Sequence, residues 1–487
     1  MAVLRRALLI STGERYFALA INFATIALVS RLLTPEEIGI SVIGMAFVGF
    51  AMAAREFASA NFLISRQQLT RDEVRGTFTV IVSLTLLISA TLACTAPLLA
   101  AIYGESSLVP YLRLISAALV VELIAAPIVT LLRRDLEFGK IAIINVSGAV
   151  SAAAVTVLLA SMGFSYMSFA WAWLASAFVT GLLALSLSQQ FWIFKPCFKN
   201  WHGTLAFGAY NGATNTLYRF YEALPYLVLG RLLSPDAAAV YSRSLMICQL
   251  PDKVFLAGAV SVALPAFSRQ TRQGHNLKES YLKALGLITV LQWPALLVLA
   301  IIAYPVVDVL LGHQWHAVAP IAQIMAIASL FSFSFELNYP VLVSLGAVRD
   351  IFRRALIVCP ISAAIISLAS FQGLQEVALS LLLVIPFQAF VSLQFVRRHV
   401  NILWSEIAAS VWRSASVAAI TAAGPLSVVM LSGSNFDISI SQALVAAALA
   451  AAGWCFGLYL TGHPLLVEIS ETLTSIRNGL SRAWVGT

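Results

Sequence analysis

The chain has few charged residues for its length, and this scarcity restricts what it can be. Asp, Glu, Lys and Arg make up 11% of the 487 residues, whereas roughly a quarter of an ordinary soluble domain is charged. Hydrophobic residues make up 60% of the chain, and the mean hydropathy is +0.89. A soluble core cannot hide that much apolar surface. The composition therefore predicts a membrane protein.

Sequence motifs for catalysis and metal binding are missing too. The sequence has five cysteines, Cys94, Cys197, Cys248, Cys359 and Cys455. They lie far apart without a CxxC pair, so they predict neither a disulfide framework nor a metal site. His313 and His316 have no cysteine or carboxylate at ligand spacing, which again predicts no metal. No GxxxxGK[ST], HExxH or GxSxG pattern occurs, so we expect no enzyme activity and no cofactor.

An internal repeat is the strongest positive signal. The string RLLTPEE at residues 31–37 returns as RLLSPDA at residues 231–237, each time between two long apolar segments. SRQQ at residues 65–68 likewise corresponds to SRQT at residues 268–271. A unit of about 200 residues is too long for a solenoid repeat and has the size of half a transporter. The sequence therefore predicts a duplicated membrane protein.

Apolar stretches of about 20 residues, the length that an ~30 Å hydrocarbon core requires, occur fourteen times in our assignment. Their centres lie near Ala24, Val48, Leu87, Leu119, Ala152, Leu174, Leu217, Leu256, Leu297, Ser329, Ile365, Leu383, Val417 and Ala448. The predicted fold is an all-α membrane protein with fourteen transmembrane helices.

The basic residues between these segments alternate strongly. One set of connections holds only Arg31 and Arg231. The other set holds Arg5, Arg6, Arg66, Arg71, Arg75, Arg133, Arg134, Lys140, Lys195, Lys199, Arg269, Arg272, Lys278, Lys283, Arg349, Arg353, Arg354, Arg397, Arg398, Arg477 and Arg482. Because Lys and Arg stay on the cytoplasmic side, both termini are predicted to be cytoplasmic. The net charge of +8 then reflects topology and contact with anionic membrane lipids, and we expect no nucleic-acid partner.

The predicted organisation follows from this count. Residues 1–190 form an N-lobe of helices 1–6, residues 191–204 a cytoplasmic linker, and residues 205–400 a C-lobe of helices 7–12. An even number of spans in each lobe makes the two repeats parallel. Residues 401–462 carry helices 13 and 14, and residues 463–487 are predicted to form an amphipathic helix on the cytoplasmic leaflet.

Polar side chains inside the spans concentrate on helices 1, 2, 7 and 8. Charge within a span is disfavoured by roughly 2.5–3.5 kcal/mol on insertion scales, so it needs water or a partner. Helix spacing puts the polar residues of helices 1 and 7 on one stripe each. We predict a water-filled central cavity between the two halves that attracts an anion, because guanidinium groups bind phosphate bidentately. Its candidate lining residues are Arg15, Asn22, Arg55, Asn211, Asn215, Tyr218, Arg219, Arg243 and Lys253.

A purely structural explanation of these charges stays open. Arg219 can pair with Glu222 three residues on, Asp252 can neutralise Lys253, and Arg15 can extend to the interface. Three carboxylates inside spans are candidates for ion coupling: Glu222, Glu122 and Glu336. The alternative for Glu122 and Glu336 is a hydrogen bond to a neighbouring helix.

Two long runs carry a resemblance to a known family. The run RLLTPEEIGISVIGMAFVGFAMAAREFASANFLISRQQLT at residues 31–70, and the run GRLLSPDAAAVYSRSLMICQLPDKVFLAGAVSVALPAFSRQ at residues 230–270, resemble the polysaccharide transporter family. These Wzx-type oligosaccharide-lipid flippases belong to the MOP exporter superfamily, and the resemblance favours its exopolysaccharide and colanic-acid branch. It implies a MATE-like fold with two lobes of six helices. It fixes no substrate-binding residues.

The resemblance implies export of an undecaprenyl-diphosphate-linked oligosaccharide across the bacterial inner membrane by alternating access. The implied partners are the lipid-linked glycan, membrane lipids and a polysaccharide polymerase or co-polymerase complex. A lipid II flippase or multidrug exporter of the same superfamily is the main alternative, although an exporter of organic cations should carry acidic residues where basic ones dominate here. A polymerase or ligase would need a large outer loop, and a scaffold role stays open.

The charge alternation can be tested by labelling in a cysteine-free variant. Single cysteines at Gly104, Gly312 and Ser434 should react with an impermeant maleimide in intact cells. Cysteines at Gln68, Gly274 and Thr474 should react only after the membrane is opened. Reversal at any one position would contradict the span assignment.

Overall fold

The described residues of the chain are helices joined by short connections, and they contain no strand. The computed structural model describes residues 2–53, 55, 70–188, 190–197, 201–433, 435–466 and 468. The predicted amphipathic helix of the tail lies outside these residues from position 469 onward. The all-helical class predicted from the sequence is confirmed.

The helices follow one another closely. Up to residue 188 they are α1 (Ala2–Leu32), α2 (Pro35–Ala53), α3 (Arg71–Tyr103), α4 (Leu108–Glu122), α5 (Ala126–Arg134), α6 (Phe138–Ser161) and α7 (Met167–Ser188). Then come α8 (Trp201–Leu232), α9 (Pro235–Cys248), α10 (Ala257–Arg272), α11 (Lys278–Ile301), α12 (Ala303–Leu310), α13 (Val318–Ser329), α14 (Phe335–Ser344), α15 (Val348–Ser370), α16 (Leu374–Val400), α17 (Trp404–Leu431) and α18 (Ile440–Thr461). Tighter 3₁₀ turns lie at Phe191–Phe194, His313–Trp315 and Leu330–Ser334, and a π turn lies at Asp252–Leu256.

Every predicted span centre falls within one of these helices or turns. Eleven helical segments of the described chain are long and apolar enough to cross a membrane, and the pair α4 and α5, bent by 41°, adds a twelfth. The segments around Leu217 and Leu256 are not among them, and α9 and α10, with 14 and 16 residues, are each shorter than one crossing requires. Fourteen crossings therefore remain a prediction.

Three predicted spans are interrupted near their middle. α4 gives way to α5 at residues 123–125, and α13 is separated from α14 by the 3₁₀ turn Leu330–Ser334. These two breaks fall in the fourth and tenth spans, which correspond in the repeat. The third break lies between α9 and α10, where Pro251 precedes the π turn. Proline lacks a backbone N–H, and π turns inside helices often mark functional positions.

The Cα positions divide the chain into two compact units. Unit one consists of residues 1–242, 310–315 and 355–374, and unit two of residues 243–309, 316–354 and 375–487. The lobe and linker boundaries given above stay predictions. The units are described separately below.

The repeated RLL-[T/S]-P strings form helix N-caps in unit one. Thr34 caps α2 by accepting a bond from the Glu37 N–H at 3.3 Å, and its own N–H donates to Glu37 Oε2 at 2.8 Å. This reciprocal pair is a capping box. Ser234 caps α9 through one bond only: its side chain accepts a hydrogen bond from the Ala237 N–H at 3.2 Å. Proline follows each cap, where its missing N–H costs nothing.

These two corners pack directly on each other. An added Cβ at Gly39 would lie 2.0 Å from the Pro235 carbonyl oxygen, and one at Gly230 would lie 2.5 Å from Ile43. The buried Trp315 also donates its indole N–H to the Ser30 carbonyl at 2.6 Å. We call residues 30–43, 230–237, Gln314 and Trp315 the corner cluster. Glycine is required here because two backbones meet without room for a side chain.

Unit two is held by close helix packing and a buried polar contact. α17 and α18 approach through small residues: a Cβ at Gly453 would lie 3.0 Å from the Ile420 carbonyl oxygen. The fully buried Tyr281 donates its hydroxyl to Asn338 Oδ1 at 2.8 Å. Such small residues allow helix backbones to approach closely in an apolar medium.

The end of α18 is fixed by a buried histidine. His463 Nε2 lies 3.2 Å from Ser414 Oγ, and the Leu465 N–H donates to its Nδ1 at 3.2 Å. Burial, with a smaller contribution from the charge of Arg413, lowers the pKa of His463 below its ordinary value. The ring is therefore neutral near pH 7 and acts as a hydrogen-bonding anchor in unit two.

Replacing Gly39 with alanine tests the corner cluster. The new methyl group would meet a backbone carbonyl that cannot rotate away, and overpacking of this kind costs about 1–3 kcal/mol. We expect a lower midpoint of thermal unfolding for the purified protein in detergent. Gly49→Ala, in the same helix, is the matched control, because no atom lies within 4 Å of the added Cβ. Equal midpoints for both variants would contradict the close contact.

Candidate functional site

The break after α4 brings an acidic and a basic side chain together in unit one. Glu122 is the last residue of α4, and its Oε1 lies 3.6 Å from Arg55 Nη2. The Trp173 indole N–H donates to Glu122 Oε2 at 3.4 Å. Arg55 Nη1 is buried and forms no hydrogen bond with any described residue. The guanidinium is therefore compensated in charge but not saturated in hydrogen bonds.

A second ion pair lies on α8 in unit one. Arg219 Nη1 donates to Glu222 Oε2 at 3.2 Å, and both side chains are 61% exposed. On the predicted seventh span, a rise of 1.5 Å per residue puts Arg219 about 20 Å from the helix end at Leu232, within an ~30 Å hydrocarbon layer. Charged groups exposed at that depth need water around them. The i,i+3 pairing considered from the sequence is present.

The other predicted site residues of unit one line the same helices. Arg15 and Asn22 are exposed on α1, and Asn215 and Tyr218 are half-buried on α8. The side chain of Asn211 lies outside what the structure describes. Their shared stripe on each helix remains a prediction from helix spacing.

Packing contacts place α8 beside the end of α2. Thr216 Oγ1 donates to the Ala53 carbonyl at 3.4 Å, and the rings of Phe50 and Phe220 lie 5.6 Å apart edge to face. α2 ends two residues before Arg55. The helix α8, which carries the Arg219–Glu222 pair, therefore packs against the helix that ends just before Arg55.

Sequence reasoning missed a further contact of a charged side chain in unit one. Asn145 Nδ2 on α6 donates to Glu14 Oε1 on α1 at 2.6 Å, one residue before Arg15. The partners are 131 residues apart in the chain. Neither helix periodicity nor the repeat pairs them.

Unit two contains a polar cluster that is built around an aspartate and has no arginine. Gln292 on α11 donates its Nε2 to Asp252 Oδ1 at 2.7 Å and to Ser332 Oγ at 3.2 Å. Asp252 begins the π turn, and Ser332 lies in the 3₁₀ turn that interrupts the tenth span. Gln292 is 2% exposed, and its Oε1 forms no hydrogen bond with a described residue. Gln292 and Ser332 were not among the predicted site residues.

The remaining predicted residues of unit two differ in exposure. Arg243 is buried, with 8% of its surface exposed, whereas Lys253 and Glu336 are exposed. Glu336 lies in the first turn of α14, directly after the 3₁₀ turn. It thus occupies the same break as Glu122 does in the first repeat, as the near-equivalence of the two residues in the repeat suggests.

The structure corrects the expectation that no carboxylate lies close to the histidines. His316 Nε2 lies 3.6 Å from Asp308 Oδ2 in unit two, so a carboxylate does lie beside one of the two histidines. The Tyr304 ring is 5.2 Å from the imidazole. The spacing of eight residues hid this contact, because the chain turns between α12 and the following 3₁₀ turn.

The helical fold, with charged pairs inside its apolar segments, defines a multi-pass membrane transporter. The structure resembles that of the lipid II flippase MurJ, with a TM-score of 0.73 at 11% identity over 94% of this chain and 99% of that chain. Solved transporters of the MOP superfamily share this fold as well. At such identities the likeness shows the fold alone.

The sequence comparisons identify the family. A family model described as polysaccharide biosynthesis protein matches residues 28–320, which is more than half of the chain. The chain therefore belongs to this polysaccharide biosynthesis family.

Two curated relatives extend the likeness. The lipopolysaccharide biosynthesis protein WzxC of Escherichia coli is 22% identical over 66% of this chain and 66% of its own length. The succinoglycan biosynthesis transport protein ExoT of Rhizobium meliloti is 25% identical over 69% of this chain and 68% of its own length. The chain thus spans about two thirds of each relative.

Proposed function

We propose that this protein is an inner-membrane flippase that moves an undecaprenyl-diphosphate-linked oligosaccharide from the cytoplasmic to the periplasmic leaflet by alternating access. Membership in a polysaccharide biosynthesis family and a fold shared with a lipid II flippase support this proposal. The observation that carries it is the incompletely bonded guanidinium of Arg55 beside Glu122, together with the exposed Arg219–Glu222 pair on α8, which packs against α2 just before Arg55.

These ion pairs suit a diphosphate substrate. Moving a diphosphate through hydrocarbon unaided is prohibitive, because an isolated buried charge loses its hydration without compensation. Arginine offers planar, bidentate donors to phosphate oxygens. In the empty protein Glu122 and Glu222 hold the two guanidinium groups, and a substrate phosphate takes their place. The carboxylates therefore keep the arginines oriented between transport cycles.

Further polar residues of the helices serve the sugar headgroup and the anionic charge. We assign the hydrogen-bonding role to Asn22, Asn211, Asn215 and Tyr218, and supporting positive charge to Arg15, Arg243 and Lys253. The lipid tail stays in the bilayer while the headgroup moves. Fourteen crossings in two parallel lobes, with cytoplasmic termini, complete the proposed architecture. A polysaccharide polymerase or co-polymerase complex is the proposed partner.

Lipid II flipping and multidrug export are the competing activities. The fold is compatible with both. The names of the curated relatives favour polysaccharide precursors over lipid II, and the arginines of unit one oppose a cationic drug. Reconstitution with labelled lipid-linked oligosaccharide and with lipid II separates these possibilities.

Removing either arginine should stop export. Arg55→Ala and Arg219→Ala should abolish transfer of a labelled undecaprenyl-diphosphate glycan across proteoliposomes, at normal protein abundance. Lysine at either position should restore only part of the rate, because it lacks the bidentate fork. Arg272→Ala is the matched control, since Arg272 is exposed at the end of α10. Wild-type rates in both alanine variants would place phosphate binding elsewhere.

Proton coupling is proposed for Glu222. A carboxylate displaced from Arg219 by a diphosphate loses its compensating charge and gains affinity for a proton. Substrate and proton occupancy are then linked. Glu222→Gln should bind the lipid-linked glycan yet lose the acceleration that an imposed pH gradient gives the wild type. Retained acceleration would leave Glu222 as a structural partner of Arg219, with Glu122 and Glu336 as the remaining candidates.

A further inference from the structure

Five arginines gather at one end of unit two and take no part in the function proposed above. They lie in the first two turns of α15 and the last turn of α16. On the predicted topology this end of both helices faces the cytoplasm. We call these residues the arginine patch: Arg349, Arg353, Arg354, Arg397 and Arg398.

Side-chain contacts hold the two helix ends together. Arg353 Nη1 donates to Asp350 Oδ1 at 3.0 Å, and His399 Nε2 lies 2.7 Å from Asp350 Oδ2. Farther along the same two helices, Arg354 Nη1 donates to Ser392 Oγ at 2.9 Å. The arginines of α15 and α16 therefore lie on one continuous surface of unit two.

This surface has a large excess of positive charge. Among the described residues, the carboxylate that forms an ion pair with the patch is that of Asp350, so five guanidinium groups face one negative charge. Glu406, at the start of α17, is instead paired with Lys278 at 2.7 Å. Three of the five arginines are exposed. Excess charge of one sign attracts ligands of the opposite sign.

An exposed aromatic column adjoins the patch. The guanidinium carbon of Arg397 lies over the Trp404 ring, 5.0 Å from its centroid. Trp404 in turn stacks on Phe390, with 5.3 Å between the ring centroids and 3° between the ring planes. Phe390 is 57% exposed. It precedes Arg397 by seven residues, so it lies about 10 Å farther into the predicted span on nearly the same face of α16.

A membrane phospholipid has a matching arrangement of groups. Its phosphate lies at the membrane surface, and its acyl chains begin just below. A guanidinium that lies over a ring keeps its N–H groups at the edge of its own plane, where they can bind phosphate oxygens. Tryptophan suits this depth because its ring is apolar and its N–H is polar. Phe390 then offers an apolar surface to the first part of an acyl chain.

The charge of the patch selects among phospholipid headgroups. A zwitterionic headgroup brings its own cation, which the surrounding arginines repel. A headgroup whose net charge is negative brings none. The patch therefore suits an anionic lipid better than a zwitterionic one.

We propose that the arginine patch, with Trp404 and Phe390, binds one anionic glycerophospholipid of the adjoining leaflet. The lipid phosphate contacts Arg397 and Arg398, and an acyl chain runs along the aromatic column. Basic loops attract anionic membranes in general. This site differs from that attraction because the column fixes the position of a single lipid molecule.

Lipid binding is measured on the purified full chain in detergent, from thermal unfolding midpoints during titration with phosphatidylglycerol. A ligand that binds the native state raises the midpoint in a saturable manner. We expect saturable stabilisation by phosphatidylglycerol and much less by phosphatidylcholine with the same acyl chains. Arg397→Ala and Arg398→Ala should each raise the half-saturating mole fraction about 5-fold, as expected for one arginine at an anionic lipid surface.

Three further variants make the result interpretable. Arg398→Ala removes an exposed side chain and serves if Arg397→Ala does not fold, and Arg272→Ala, at the end of α10, is the matched control that should respond as the wild type does. Phe390→Ala changes no charge and should also weaken binding, which attraction by charge alone would not produce. Equal responses to the two lipids, or equal responses of the wild type and both patch variants, would overturn the proposal.

Other sources of phosphate are compared in the same assay. Glycerol 3-phosphate has no acyl chain and should give no saturable rise; a rise equal to that with phosphatidylglycerol would make the patch a simple anion site. An undecaprenyl-diphosphate lipid that binds more tightly than phosphatidylglycerol, and loses affinity in both patch variants, would assign the patch to the transported lipid. Either result would overturn the proposal. Absence of glycan transfer in proteoliposomes would instead remove the proposed function and leave the phospholipid site.

Discussion

The requirement that every charge inside an apolar helix be compensated organises this molecule. Arg55 is held by Glu122, which in turn accepts a bond from Trp173, and Arg219 is held by Glu222. Each guanidinium would otherwise face hydrocarbon, at a cost of a few kcal/mol. The apolar lengths of the helices, by contrast, only need to match the bilayer. The distribution of charge therefore carries most of the functional information.

Compensation coincides with interruptions of the helices. Glu122 ends α4 at its bend, Glu336 follows the 3₁₀ turn of the tenth span, and Asp252 begins the π turn of the eighth. A continuous helix uses all its backbone groups internally, whereas a break frees some of them and redirects side chains. Irregular backbone at membrane depth is tolerated only where protein or water satisfies it. At these breaks the helices lose regular backbone hydrogen bonds and gain polar side-chain contacts.

Much of the fold and of the ion pairing could be predicted from the sequence. The contacts that could not be predicted share a physical reason. Helix positions follow from apolar length, and the pairing of Arg219 with Glu222 follows from one turn of helix. The caps at Thr34 and Ser234 follow from local hydrogen bonding. The contact between Asp252 and Gln292 cannot be predicted from the sequence, because it depends on how separate helices meet.

The burial of Arg243 likewise depends on how separate helices pack. The sequence predicts Arg243 among the lining residues of a water-filled cavity, whereas only 8% of its surface is exposed. Helix spacing tells which residues share a face, but not which neighbour covers that face.

The corresponding helix breaks in the two halves of the predicted repeat differ in charge. At the break of the fourth span Glu122 faces an arginine, whereas at the break of the tenth span Glu336 flanks an aspartate. A basic group attracts anions and an acidic one attracts cations, by the sign of the Coulomb energy. The glutamates at the two breaks thus have neighbours of opposite charge, although the predicted repeat makes their positions near-equivalent.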